Sequence, residues 1–137
     1  MLAIEIHDPM MVGEVGFDLR IMQIFAKYGV SYILKSTNAN SITMVVWDNY
    51  KSRELISDLE ANFYQVITER VAIVCVMGTN IALPGFLYRA AKALYDRGIN
   101  VESFGQSLRQ VNMQFVIKRE SYKDAVIALN DELCIEK

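Results

Sequence analysis

The sequence predicts an α+β fold made of two tandem βαββαβ units on the ferredoxin-like plan. Three observations carry this expectation. The chain repeats itself at an offset of about 69 residues. Both copies show the same order of hydrophobic rhythms. Glycines stand at matching helix ends in each copy.

The repeat is read from Gly16-Phe17-Asp18-Leu19-Arg20 against Gly85-Phe86-Leu87-Tyr88-Arg89. Gly29 and Gly98 keep the same offset, while Ser41-Ile42 against Asn112-Met113 and Tyr50-Lys51 against Tyr122-Lys123 drift by two or three residues. The drift implies short insertions in the turns of the second copy. The units are expected to span 1–69 and 70–137, packed side by side around a shared core, because no Gly-, Pro- or Ser-rich linker separates them.

In copy one, Leu2, Ile4 and Ile6 alternate with Ala3, Glu5 and His7 as a half-buried strand. Pro9, Gly13 and Gly16 punctuate a loop. Phe17, Ile21, Ile24, Phe25 and Tyr28 then form one apolar helix face, with Gly29 at the C-cap. A strand is expected over 30–36, a turn at Asn38-Ala39-Asn40, and a strand through Ile42, Met44 and Val46. Leu55, Ile56 and Leu59 mark a second helix, and 63–68 a closing strand. In copy two, 71–77 is apolar throughout, which points to a strand covered on both faces or lying in an interface. A helix over 85–97 capped by Gly98, strands at 99–105 and 111–118, and a last helix carrying Tyr122, Val126, Leu129 and Leu133 follow. The closing strand of this copy is not expected within the chain.

Composition excludes several functions. A hydrophobic fraction of 53% makes a buried core feasible. Net charge of −2 gives no basic footprint for nucleic acid. The longest apolar run is too short to span a membrane, and the N-terminus has neither the basic start nor the cleavage site of a signal peptide. Cys75 and Cys134 have no CxxC spacing and read as reduced thiols in a cytoplasmic protein. His7, the single histidine, has no accompanying ligand set, so no metal or cofactor is expected. Neither glycine loop has the spacing of a phosphate loop. The serines and threonines lack a neighbouring base, so no catalytic residue is expected. What remains is binding. In each copy a glycine-bounded loop enters a helix N-terminus, where free N–H groups and the helix dipole favour a carboxylate. Thr37, Asn38, Asn40, Asn80 and Gln106 supply oxygens for an ammonium, or are only turn residues.

Two stretches carry a resemblance to a known family. One runs from Val71 through Gly78-Thr79-Asn80 and Pro84-Gly85 to Arg97-Gly98-Ile99-Asn100-Val101, Gln106, Asn112 and Asp124-Ala125-Val126. The other joins 11–17 to Ile24-Phe25-Ala26-Lys27-Tyr28-Gly29-Val30-Ser31. They resemble the second and first ACT modules of the regulatory region of aspartate kinases, over essentially the whole chain. The resemblance implies a non-catalytic regulatory fragment that senses an end-product amino acid and pairs into a homodimer. It implies a kinase domain upstream, whose Lys-Phe-Gly-Gly motif is absent here, and control of the first step toward lysine, threonine and methionine. It also implies that a strand from upstream completes the second module. The effector pocket carries over to Met11, Glu14, Gly16, Phe17 and Asp18, to Ser31, Tyr32 and Ile33, and to Asn38 and Ala39, with Gln106 in the second module. Lysine-sensing members hold an Asp at Ile33 and Ser-Glu at Asn38-Ala39, and a Glu in the second module at Gln110. Gln106 matches a Gln that contacts threonine in some relatives. Threonine is therefore expected over lysine. The alternatives are a structural dimerisation module with a decayed pocket and a small ferredoxin-like hydrolase, the latter disfavoured because neither glycine loop contains an Arg.

Overall fold

The computed structural model describes residues 1–9, 12, 14–38, 40–78, 83–109 and 112–133. The chain divides into two compact units, Met1–Arg70 and Val71–Lys137.

The first unit holds β1 (Leu2–His7), α1 (Phe17–Tyr28), β2 (Leu34–Thr37), β3 (Ser41–Val46), α2 (Tyr50–Asn62) and the first half of β4 (Gln65–Met77). Its strands lie in the order β2-β3-β1-β4, all antiparallel, with Ile4 opposite Met44 and Thr68. Period-two alternation sends Ile4, Ile6, Ile42, Met44 and Val46 to one face. There they meet Phe17, Ile21 and Phe25 of α1 and Leu55 and Leu59 of α2, all buried. Helix α1 ends as its sequence foretells. Gly29 takes the left-handed conformation at φ 65°, its N–H donates to Ala26 O at 3.1 Å, and Val30 N–H donates to Phe25 O at 3.0 Å. This paired pattern closes the helix and satisfies its last carbonyls. Helix α2 starts on a capping box: Ser52 N–H donates to Asn49 Oδ1 at 3.0 Å, and Asn49 N–H donates to Ser52 Oγ at 3.0 Å.

The second unit holds the rest of β4, α3 (Phe86–Asp96), β5 (Ser103–Gly105), β6 (Asn112–Lys118), a short 3-10 turn (Arg119–Ser121) and α4 (Tyr122–Leu133). Here β6 lies between β4 and β5. Val74, Met113, Phe115 and Ile117 pack against Ala90 and Leu94 of α3 and Ala125 and Leu129 of α4. Gly98 closes α3 at φ 71° in the pattern of Gly29, with Ile99 N–H on Leu94 O at 3.0 Å. Among the described residues no strand follows α4.

Four sequence expectations need correction. The strand expected over 30–36 is only Leu34–Thr37, because Val30 is tied back to the helix end and pairing begins with the Ile33 N–H on Val45 O at 2.7 Å. The strands expected at 63–68 and 71–77 are one strand, since no Gly, Pro, Asn or Asp interrupts Gln65–Met77. Of the two readings of 71–77, cover on both faces is not found among the described residues: Val74 and Val76 meet the core, while Cys75 and Met77 are exposed. The apolar stripe read on the last helix is half outside. Ala125, Ala128 and Leu129 are buried, and Tyr122 and Val126 are exposed beside β4. Small alanines let α4 approach the sheet closely, and counting large residues misses that face.

Candidate functional site

In the first unit, β1 runs into the loop that leads to α1, and the β2–β3 turn lies at the same end. Asp8 N–H donates to Asn40 O at 3.3 Å, joining the two. The Asn38 side chain is consumed in its own turn: Oδ1 accepts from Ser41 N–H at 3.1 Å and Ser41 Oγ at 2.8 Å.

Helix α1 opens on Gly16 at φ 86°, with no side-chain cap. Helix α3 opens in the same way on Gly85 at φ 85°. Leading N–H groups of a helix lack intrahelical acceptors, so these two ends present donors that the cap residue leaves unused. Helix α2, with its capping box, does not. Beside the first end, Asp18 pairs with Lys35 of β2 through Oδ2, while its Oδ1 is buried and accepts no hydrogen bond. Glu14 pairs with Arg20 at 3.4 Å. The Arg20 guanidinium also lies 5.7 Å from the Phe17 ring centroid and 5.2 Å from that of Phe63.

Gly16, Phe17, Asp18, Glu14 and Asn38 therefore gather at one end of the unit. Ser31, Tyr32 and Ile33 lie between the C-terminus of α1 and the start of β2, Ile33 two residues before Lys35. Gln106 follows β5 in the second unit and is half-buried. Met11, Ala39, Asn80 and Gln110 lie outside the described residues. Lys35 is the site residue that the sequence reading missed. Its place on the helix-facing side of the strand follows from its register opposite the buried Met44.

On the outer surface, Asp58 of α2 accepts from Tyr28 OH at 2.8 Å, from Lys27 Nζ at 3.1 Å and from Asn62 Nδ2 at 2.6 Å. The Tyr28 hydroxyl and then the Lys27 ammonium hold its carboxyl below the usual value of 3.8. The same contacts raise the Tyr28 and Lys27 pKa values. A depressed carboxylate contributes stability above its unfolded pKa and loses it as pH falls through the folded value. The raised partners contribute below their unfolded values, and that contribution goes as pH rises through the folded ones. Asp58→Asn should thus be less stable than wild type at pH 7, with the difference shrinking below about pH 4. Urea denaturation at pH 7 and pH 3 checks this, and an equal difference at both would contradict it. Cys75 is a free, partly exposed thiol whose pKa burial pushes upward, leaving little thiolate at neutral pH. Among the described residues no cluster of potential metal ligands occurs, and no helix is long and apolar enough to cross a membrane.

Residues 74–133 match the ACT domain family. The aspartate kinase Ask_Ect of Stutzerimonas stutzeri is 31% identical over 136 residues, covering 97% of this chain. The chain spans 29% of that relative. Aspartate kinase from Clostridium acetobutylicum superposes with a TM-score of 0.86 at 22% identity, over 96% of this chain and 32% of its own. The ligand-free regulatory subunit of aspartate kinase from Thermus thermophilus gives 0.84 at 19% identity, over 96% and 90%. The chain thus carries an ACT domain over residues 74–133, folds as two tandem ferredoxin-like ACT modules, and is similar along nearly its whole length to aspartate kinases.

Proposed function

We propose that this chain is the amino-acid-sensing regulatory portion of an aspartate kinase, performing no catalysis itself. Residues 1–69 and 70–137 are its two ACT modules. It acts in the cytoplasm on a kinase domain supplied upstream, and controls entry into lysine, threonine and methionine synthesis. The observation that carries this reading is the pair of glycine-started, uncapped helices, α1 and α3, against the fully capped α2. An effector carboxylate fits the free N–H groups at Gly16–Asp18.

The effector's ammonium is met by carbonyls near Ser31–Ile33 of a second copy. The site is proposed as one shared between the two copies of a homodimer. A two-fold axis beside the free edge of β2 brings opposite ends of two antiparallel strands together. Tyr32, Ile33 and Asn38 then border the ligand side chain, and Gln106 serves the second module.

Isothermal titration with threonine and lysine, with light scattering in parallel, tests this. A dimer that binds threonine and releases heat is the expected result. A stable dimer silent to every amino acid would favour a purely structural module. A monomer that hydrolyses acyl phosphates would favour the hydrolase.

A further inference from the structure

The Lys35–Asp18 pair is not demanded by the fold. Lys35 stands opposite Met44 in the β2–β3 register, and Met44 is fully buried in the core. Lys35 therefore projects from the helix-facing side of its strand, a place where a lysine needs a carboxylate partner. Asp18, in the first turn of α1, supplies it, and the Lys35 side chain is only 18% exposed. The second unit solves the same position without charge. There Phe104 stands opposite Phe115 on β5, with ring centroids 5.2 Å apart, and Leu87 replaces the aspartate. The second unit carries no charge at the corresponding strand position. The first unit instead places an ammonium beside the helix end proposed to receive the effector.

We propose that Lys35 is a specificity-determining residue of the first module: its tethered ammonium occupies the carboxylate that a cationic effector would need. This rests on the effector reading given above. At this helix end Asp18 is held by Lys35 and Glu14 by Arg20. A free lysine side chain entering here meets two resident cations, each already paired with a carboxylate. The site thus admits neutral amino acids and rejects basic ones.

The test compares wild type, Lys35→Met and Lys35→Thr by titration with L-lysine, L-norleucine and L-threonine. Norleucine carries lysine's stem without its charge. In wild type, norleucine and threonine should each bind at least tenfold tighter than lysine. Lysine binding equal to norleucine in wild type overturns the proposal without recourse to any variant. Lys35→Met should gain at least tenfold in lysine affinity, and adding Asp18→Asn should remove that gain. A folded Lys35→Met or Lys35→Thr, judged by its melting curve, whose lysine affinity stays within threefold of wild type also overturns it. The effector reading fails separately. Wild type silent to threonine and norleucine, while Lys35→Met binds lysine, defeats native sensing but supports the tethered cation. Threonine binding without any lysine gain defeats only the role of Lys35.

Discussion

Phe115→Ala is expected to lower the unfolding free energy by about 3–5 kcal/mol, the usual cost of emptying a large buried aromatic site. Phe115 is 1% exposed and sits mid-strand on β6, between buried Met113 and Ile117 on the same face. Its ring lies against Phe104, which comes from the shortest strand of the unit, β5, with three residues. Three residues make few ladder bonds, so β5 depends on that ring contact to stay in place. Small domains have a total stability of about 5–15 kcal/mol, so the loss should remove a large share of it. Chemical denaturation followed by circular dichroism measures the change. A loss below 1 kcal/mol would show that Phe115 is not a centre of this core. Phe104→Leu keeps most of the volume and should cost less than half as much.

How far the sequence can be read follows from the same physics. The face of α1 was legible because Phe17, Ile21 and Phe25 are large and fall at helical spacing. The ends of α1 and α3 were legible because Gly29 and Gly98 take positive φ, where few other residues are comfortable. The α4 face was misread because Ala125 and Ala128 carry the packing there, and alanine has little weight in any hydrophobic count. The joined strand β4 was split because the repeat invited a boundary at 69, although no residue between Gln65 and Met77 breaks a strand. The starts of α1 and α3 at Gly16 and Gly85 were legible from glycine as well. Lys35 was passed over because a lysine in a strand looks like a solvated residue. Only the register opposite Met44 shows that it faces inward and must have a partner.

Gly16→Val should cut effector affinity at least a hundredfold while leaving the fold in place. Gly16 adopts φ 86° at the start of α1, and its carbonyl accepts the Arg20 N–H at 3.1 Å, the first helical bond. A Cβ built there meets nothing within 4 Å, so the cost is one of backbone conformation and not of collision. The left-handed region costs an L-residue about 1–2 kcal/mol, and a β-branched residue more. The chain relieves that strain by turning the peptide planes around Gly16 toward negative φ. Such a turn re-aims the N–H groups at Gly16–Asp18, the donors proposed to hold the effector carboxylate, and hydrogen bonds weaken steeply once misaligned. Two charge-assisted bonds lost at about 1.5–3 kcal/mol each correspond to a hundredfold or more in affinity. Gly85→Val makes the equivalent change at α3 and should leave the first module's binding intact, which makes it the control. Gly16→Val binding threonine like wild type would show that the carboxylate is held elsewhere. Equal losses from both substitutions would show instead that the two helix ends contribute to one binding event.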